Sequence, residues 1–239
     1  MFYATAHKYP ERNALLIERG GAKFVWTYKQ YFDDVINFSK ALTKIGVTER
    51  SAVAIMGFNS PEWVISCMGS IMNNCITTGI YTTNEPEACT YQLNHAGAEC
   101  VVVQTADHLR RIMTNIDQQP NLKQIVCYGE AKIPDEYNDP RIILWTDFLK
   151  LGQADVPSDH ILTRMRKQNA GNCCMFIYTS GTTGPPKGCM ISHDNLCWNA
   201  IATVDNVYES RPDLRGPENR LVSFLPLSHI AGFAFDVMI

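Results

Sequence analysis

Short apolar runs alternate with helical patterns along most of the chain. Between residues 28 and 45 the apolar side chains recur about every 3.6 residues, which predicts an amphipathic helix with one buried face. Thr27 stands where a helix N-cap is expected, and Gly46 stands where a left-handed residue commonly ends a helix. Residues 28–45 therefore form a predicted helix whose two ends are marked in the sequence.

The same alternation continues through the rest of the chain. The run Ala52–Met56 predicts a buried strand, and Ser60 followed by Pro61 predicts a helix that continues to about Met72. Repeated strand–helix–strand units predict an α/β fold in which helices flank both faces of a largely parallel sheet. The other predicted strands are Phe24–Trp26, Cys75–Ile80, Glu99–Gln104, Lys123–Tyr128, Arg141–Leu144, Cys173–Tyr178 and Gly188–Ile191, and the other predicted helices are Glu85–His95, Thr105–Ile116, Thr146–Leu151 and Asp159–Lys167.

The last segment, Phe233–Ile239, is mostly apolar and carries no loop or capping signal. Domains seldom end inside such a segment, because its apolar face would have no partner. We therefore interpret Ile239 as a truncation point, and we expect the last apolar side chains to lack a partner within the chain.

The charge, the cysteines and the lengths of the apolar runs limit the classes of partner and the compartment that the chain can be expected to have. The formal net charge is −3 and the basic residues are scattered, so nothing indicates nucleic acid as a partner. Nine cysteines, none in a Cys-x-x-Cys pair, mostly lie in apolar stretches, as reduced and buried cysteines do. No apolar run reaches the roughly 18 residues of a membrane-spanning helix, and the first residues do not resemble a signal peptide. We expect a cytoplasmic protein, with peripheral contact to the endoplasmic reticulum or another membrane left open.

A loop rich in hydroxyl groups and glycines lies between the predicted strands 173–178 and 188–191. It reads Thr179-Ser180-Gly181-Thr182-Thr183-Gly184-Pro185-Pro186-Lys187. Glycines let successive backbone N–H groups turn into one concavity that binds an anion. Hydroxyl groups can donate to phosphate oxygens or coordinate Mg²⁺, and a lysine adds a mobile positive charge. This loop therefore predicts a phosphate-binding site.

The P-loop of nucleoside triphosphatases is a different arrangement. It requires G-x-x-x-x-G-K-[ST] at the start of a helix. Here two prolines separate Gly184 from Lys187, and Gly188 follows the lysine where Ser or Thr is required. Two adjacent prolines and a glycine also disfavour the start of a helix there. The spacing excludes the P-loop, and a Ser/Thr/Gly-rich turn without a ligand is the plain alternative.

The run Tyr178–Gly188 resembles the phosphate-binding signature of the adenylate-forming superfamily. This superfamily includes acyl-CoA synthetases, luciferases and the adenylation domains of peptide synthetases. Its loop handles the β- and γ-phosphates of ATP, which leave as pyrophosphate. The resemblance implies a catalytic role for Lys187, and it implies that the phosphate contacts are Thr179, Ser180, Gly181, Thr182, Thr183, Gly184 and Lys187.

Further stretches resemble long-chain fatty acyl-CoA synthetases, most closely those of the bubblegum type. They are Gly57–Trp63, Gly79–Asn84, Ser192–Asn195 and Leu225–Ala231. The resemblance covers nearly the whole chain and implies that residues 1–239 are an incomplete AMP-binding domain, the N-terminal part of the large adenylate-forming domain. We expect a first α/β subdomain portion at 1–168, and the phosphate-loop region with the start of a second subdomain at 169–239.

His229 lies in a pattern, His229-Ile230-Ala231-Gly232, that in the family lies beside the acyl-binding pocket. The resemblance implies that His229 and Gly232 contact the fatty acid and that His229 takes part in catalysis. A histidine can donate a hydrogen bond to a carboxylate and steady its charge during attack on phosphorus. The alternative is a partly buried histidine that only caps the final helix.

The resemblance implies ATP-dependent activation of a long-chain fatty acid in two half-reactions. The fatty carboxylate attacks the α-phosphate of ATP, and the thiol of coenzyme A then displaces AMP from the acyl-adenylate. ATP, Mg²⁺ and coenzyme A are the implied cofactor and co-substrates. Thr182 or Thr183 is a candidate contact of Mg²⁺, the sequence does not choose between them, and no residue is assigned as a metal ligand.

Other parts of the family's site have no counterpart in the sequence. They are an aromatic-Gly-x-[Ser/Thr]-Glu motif, an aspartate that binds ribose, and the lysine of a small C-terminal domain. Tyr128-Gly129-Glu130 begins like the first of these but places its acid differently. We therefore expect the 239 residues to be inactive alone. Two alternatives stay open: an adenylating ligase for another carboxylic acid, and a non-catalytic fragment that binds a nucleotide or a partner.

Overall fold

A computed structural model describes residues 1–129, 133–153, 157–179, 185–216 and 219–237 of the chain. These residues form helices and strands in a mixed order. In chain order they are α1 (Phe2–Lys8), β1 (Asn13–Arg19), β2 (Ala22–Thr27), α2 (Tyr28–Lys44), β3 (Ala52–Met56), α3 (Pro61–Met72), β4 (Ile76–Ile80), α4 (Pro86–Ala96), β5 (Ala98–Val103), α5 (Ala106–Met113), β6 (Gln124–Cys127), β7 (Ile142–Leu144), α6 (Trp145–Gln153), α7 (Ser158–Arg166), β8 (Cys173–Thr179), β9 (Lys187–Ser192), α8 (His193–Ser210) and α9 (Ile230–Asp236).

Seven of the strands form one sheet in the order β7-β6-β5-β3-β4-β8-β9. All neighbouring strands in it are parallel except β8 and β9, which pair as an antiparallel hairpin at one edge. The prediction of an α/β fold with a largely parallel sheet is confirmed. Because β8 pairs with β4, its carboxyl end lies at the same edge of the sheet as the carboxyl ends of the other parallel strands.

The two faces of this sheet are buried in two separate apolar cores. On β3, Val53 and Ile55 belong to one core, whereas Ala52, Ala54 and Met56 belong to the other. This follows from the alternation of side chains along a strand. Helices α2, α3, α6 and α7 contribute to the first core, and α4 and α5 contribute to the second. Strands buried on both faces account for the continuous apolar runs in the sequence.

The predicted helix ends are confirmed where the sequence marked them. The Thr27 side chain accepts a hydrogen bond from the Gln30 backbone at 3.2 Å, and the Gln30 side chain accepts one from the Thr27 backbone at 2.8 Å. Gly46 has a φ of +77°, in the left-handed region. Ser60 caps α3 by accepting a hydrogen bond from the Trp63 backbone at 3.2 Å. These short-range signals set the ends of α2 and α3.

Strands β1 and β2 form an N-terminal hairpin, whereas the sequence predicted only one strand there, at residues 24–26. Gly20 and Gly21 form its two-residue turn with φ values of +56° and +77°, and Arg19 pairs with Ala22. Positive φ at both turn residues is typical of a type I′ hairpin. The Arg19 guanidinium donates hydrogen bonds of 2.8 and 2.6 Å to both carboxylate oxygens of the nearly buried Glu62 at the start of α3. This ion pair attaches the hairpin to the main body.

The expectation that the last apolar segment has no partner is wrong for its described side chains. Phe233 is fully buried and Ala234 is 8% exposed. The Phe233 ring centroid lies 6.3 Å from that of Trp63 on α3, within the range of tilted aromatic pairs. The beginning of this segment therefore packs into the core that the rest of the chain provides.

All nine cysteines are free, and seven of them are buried. Burial raises the pKa of Cys89 to about 11, and those of Cys75, Cys127 and Cys174 to about 12. These groups are therefore protonated thiols near neutral pH, which makes them weak nucleophiles. In the described part of the chain, no helix is both long enough and apolar enough to cross a membrane.

Gly152 on α6 lies against the backbone of α2, and a substitution at Gly152 tests this packing. A Cβ at Gly152 would lie 2.6 Å from the carbonyl carbon of Asn37, and closer still to its oxygen. Gly152→Ala should therefore lower the free energy of unfolding by about 1–3 kcal/mol in urea denaturation, because the helices must separate. The control is Gly171→Ala, where no atom of the described residues lies within 4 Å of the added Cβ. Equal midpoints for both variants would contradict the packing.

Candidate functional site

The carboxyl end of β8 carries the first part of the candidate site. Thr179 is the last residue of β8, and it pairs with Lys187, the first residue of β9. Directly opposed residues of an antiparallel pair present their side chains on the same face of the hairpin. Both residues are exposed. The other five predicted phosphate contacts, Ser180–Gly184, lie outside the described residues.

The Lys187 ammonium forms no ion pair with a carboxylate anywhere in the ranges that the structure describes. An exposed cation beside a threonine hydroxyl is suited to an anionic ligand when, as among the described residues here, no carboxylate competes for it. The structure thus brings Thr179 and Lys187 together at the ends of the predicted loop.

Tyr178 supports this hairpin from within. It is 4% exposed and pairs with Gly188, where an added Cβ would lie 3.3 Å from the Tyr178 Cζ. Burial, followed by the nearby Tyr91, raises the pKa of Tyr178 to about 12. The phenol is therefore neutral near pH 7. Its Oη lies 2.8 Å from the Nδ1 of His95 on α4, which is hydrogen-bond distance.

A second contact joins α4 to the hairpin. The Tyr91 hydroxyl donates a 3.1 Å hydrogen bond to the carbonyl oxygen of Pro186, the residue before Lys187. The rings of Tyr91 and His95 stack with centroids 5.4 Å apart and an interplanar angle of 26°. Their i, i+4 spacing places them on one face of α4. Both ends of the predicted loop thus contact the same helix.

The second part of the site is the segment before α9, which Asn59 holds against the sheet. Asn59 follows β3 and donates hydrogen bonds of 2.8 Å to the Ser223 hydroxyl and 2.7 Å to the Leu225 carbonyl. Its side-chain oxygen accepts a hydrogen bond from the Leu227 backbone at 3.0 Å. A single asparagine side chain thus fixes three positions of this segment.

Glycines allow the same segment to approach closely. A Cβ on Gly79 of β4 would lie 2.6 Å from the Ser228 Cα. At Gly232 the space of a Cβ is occupied by the backbone oxygens of Pro226 and Leu225. Gly232 is buried, so the structure gives it a packing role, and its contact with a fatty acid stays a prediction.

His229 is exposed and caps α9. Its Nδ1 accepts a 3.2 Å hydrogen bond from the Ala231 backbone N–H. An Nδ1 that accepts carries no proton, so the neutral ring has its proton on Nε2. The histidine therefore combines the capping function of the sequence alternative with an Nε2–H donor that no described residue accepts. No hydrogen bond or ion pair links His229 to Lys187 in the described ranges.

Magnesium was implied by the resemblance, and the donor set is compatible with it. Within the described residues no group of three or more His, Cys, Asp or Glu side chains could hold a metal ion. Mg²⁺ at nucleotide sites takes most of its ligands from phosphate oxygens and water, so the protein needs to supply few of them. Thr179 offers a hydroxyl group at the described end of the loop.

Sequence reasoning missed the residues that support this site. No function was predicted for His95 or for Tyr91. The pattern Tyr91-x-x-x-His95 on a predicted helix was the available signal, because it places two aromatic hydrogen-bonding groups on one face. Asn59 lies in the stretch Gly57–Trp63, which resembles long-chain fatty acyl-CoA synthetases, and no local pattern indicates its three hydrogen bonds.

Known proteins similar to this chain include two curated relatives. The chain is 38% identical over 240 residues to the long-chain-fatty-acid–CoA ligase ACSBG2 of Xenopus laevis, with 99% of this chain and 31% of the relative covered. It is 37% identical over 241 residues to the long-chain-fatty-acid–CoA ligase ACSBG1 of Homo sapiens, with 99% and 32% covered. The chain therefore spans about a third of the length of the curated relatives it matches.

Two solved structures share the fold. A luciferase-like enzyme from the nonluminescent Zophobas morio mealworm superposes with a TM-score of 0.76 at 17% identity, covering 99% of this chain and 50% of that one. A putative long-chain-fatty-acid CoA ligase from Rhodopseudomonas palustris gives a TM-score of 0.75 at 17% identity, covering 99% and 53%.

A comparison with sequence models of protein families gives a result consistent with these relatives and with the shared fold. The sequence model of the family described as AMP-binding enzyme matches residues 2–239. This range includes the β8–β9 hairpin with Thr179 and Lys187, as well as the segment that carries His229. The chain belongs to the AMP-binding enzyme family, also known as the adenylate-forming family.

Proposed function

We propose that this chain is the N-terminal part of a ligase that activates a long-chain fatty acid with ATP and transfers it to coenzyme A. The observation that carries the proposal is the β8–β9 hairpin of an AMP-binding enzyme, which places Lys187, unpaired among the described residues, opposite Thr179. The identity of 35–38% to long-chain-fatty-acid–CoA ligases supports the substrate class.

Lys187 and Thr179 bind the β- and γ-phosphates in this proposal, together with Ser180–Gly184. The ammonium acts where negative charge shifts toward the leaving pyrophosphate, so it contributes more to the transition state than to the ground state. When bound, Mg²⁺ offsets phosphate charge. Thr179 is the described hydroxyl that would contact it.

His229 contributes a donor for the fatty carboxylate. Its Nδ1 is occupied by the cap of α9, so Nε2–H is the group available to the substrate. The backbone contacts of Ser228 with Gly79 and of Leu227 with Asn59 hold the histidine in place. We assign Gly232 to the wall of the acyl site through the close packing of its backbone.

We place the protein in the cytoplasm, where its nine free thiols remain reduced, and contact with the surface of an intracellular membrane fits a long-chain fatty acid as substrate. The division of the chain into a first subdomain portion (1–168) and a phosphate-loop region with the start of a second subdomain (169–239) is part of this proposal. The rival functions are an adenylating ligase for an aryl or amino acid and a non-catalytic nucleotide- or partner-binding fragment, and the same assay distinguishes both.

Lys187→Ala tests the role of the hairpin. In a protein that carries this chain with the remaining length of its relatives, palmitate-dependent exchange of pyrophosphate into ATP should fall about 30- to 1,000-fold, with the KM for palmitate little changed. One lost charged contact to the transition state corresponds to about 2–4 kcal/mol. Lys23→Ala on the exposed β2 is the control and should retain the unsubstituted rate.

Exchange with benzoate or an amino acid, but not with palmitate, would support the first rival. A protein that binds ATP without exchange would support the second. Equal rates for the Lys187 and Lys23 variants would remove the hairpin from the mechanism. The 239-residue chain alone should not form palmitoyl-CoA, because the motifs for adenine and ribose are absent from it.

His229→Asn separates the two functions of His229. Asparagine is a good N-cap, so α9 should keep its start and the urea midpoint should change little. It lacks the imidazole Nε2–H, so palmitate-dependent exchange should fall roughly 10- to 100-fold, because a hydrogen bond to a charged group contributes about 1.5–3 kcal/mol. His229→Ala should lose both activity and cap. Wild-type exchange by His229→Asn would show that the histidine only caps the helix.

A further inference from the structure

Helix α4 contacts both sides of the β8–β9 hairpin at the point where the loop begins and ends. On the entry side, His95 lies at hydrogen-bond distance from Tyr178, the residue before Thr179. On the exit side, Tyr91 donates to Pro186, the residue before Lys187. Tyr91 and His95 are outside the phosphate-binding signature, and the proposed reaction gives them no chemical step.

The exit contact acts on the backbone that carries the lysine. The carbonyl group of Pro186 and the N–H of Lys187 belong to the same peptide unit, which is planar. A hydrogen bond to the Pro186 oxygen therefore restrains the orientation of the peptide plane that leads into Lys187. The lysine side chain starts from a backbone position that Tyr91 helps to set.

The contact on the entry side, between His95 and Tyr178, acts on the residue pair that lies one step further from the loop than Thr179 and Lys187. Tyr178 is buried and pairs with Gly188, while Thr179 pairs with Lys187. The Tyr178 and His95 rings meet edge-to-face, with centroids 5.7 Å apart and an interplanar angle of 78°. The neutral phenol of Tyr178 can keep this contact across the physiological pH range, because its pKa is raised to about 12.

A restraint is effective only when the restraining element is itself fixed, and α4 is fixed to β4. Gln92 is 3% exposed, and its side-chain amide donates hydrogen bonds of 3.1 Å to the Thr78 hydroxyl and 2.8 Å to the Gly79 carbonyl. Cys89 and Leu93 lie on the buried face of α4 in the second core. The helix thus connects the centre of the sheet to the hairpin.

We propose that Tyr91 and His95 are positioning residues that fix Lys187 and Thr179 in the orientation needed for phosphoryl chemistry. The inference rests on the proposed function, since it assigns these residues to the same site. Tyr91 acts through the Pro186 peptide unit, and His95 acts through Tyr178. Neither residue contacts the reacting atoms.

Tyr91→Phe removes one hydroxyl group and keeps the ring that stacks on His95, so it should fold normally. Backbone amide exchange at residues 187–189 should become roughly 2- to 10-fold faster in the 239-residue chain, the range expected for the loss of one hydrogen bond. In the longer protein, kcat for palmitate-dependent pyrophosphate exchange should fall by a similar factor, with the KM for palmitate unchanged. The control is Tyr3→Phe, a partly exposed tyrosine of α1.

His95 offers a test by rescue. The side-chain amide of asparagine can occupy the position of Nδ1 and hydrogen-bond to Tyr178, whereas leucine cannot. His95→Asn should therefore retain most of the exchange activity, and His95→Leu should lose about as much as Tyr91→Phe. Equal losses in the two His95 variants would overturn the role of this hydrogen bond.

If the positioning role is right, faster amide exchange in the hairpin and a lower kcat for pyrophosphate exchange must occur together. Faster amide exchange without a lower kcat, or a lower kcat without faster amide exchange, overturns the positioning role in a protein that is otherwise active. Absence of pyrophosphate exchange in the unsubstituted longer protein instead overturns the proposed function, and the positioning role with it.

Discussion

The parallel pairing of β8 with β4 brings the two parts of the candidate site to one edge of the sheet. Thr77 and Thr78 of β4 pair with Met175 and Phe176 of β8, so both strands run toward the same edge. Gly79, the next residue of β4, lies under the segment that carries His229 and accepts the hydrogen bond that fixes α4. A shift in the register of this pairing would separate the hairpin from the helix and the segment that support it.

The sequence predicted the elements of this architecture well where the signals are short-range. The capped start of α3 at Ser60 and the left-handed Gly46 depend on neighbouring residues, and strands buried on both faces appear as apolar runs. Helix α8 was not predicted, because Trp198 and Ile201 lie on its exposed side and obscure the apolar period. Its Ser192 capping box was a signal that could have been used.

The site was predictable only in part, for a physical reason. Thr179 and Lys187 lie in one continuous motif, so a local pattern identifies them. The contacts of Asn59 with residues 223–227, and those of α4 with the hairpin, join positions 83 to 168 residues apart in the chain. Such contacts depend on the order of strands in the sheet, which no local pattern encodes. The expectation that residues 233–234 lack a partner failed for the same reason, since their partner is the distant Trp63.

The central claim is that the β8–β9 hairpin binds the phosphates of ATP. A crystal structure of the protein, carrying this chain with the remaining length of its relatives and bound to ATP, tests it most directly. The account predicts that the Lys187 Nζ lies about 2.7–2.9 Å from a β- or γ-phosphate oxygen, the usual length of a charge-assisted hydrogen bond. It also predicts that Tyr91 still donates to Pro186. A triphosphate bound elsewhere, with Lys187 directed into solvent, would contradict the claim.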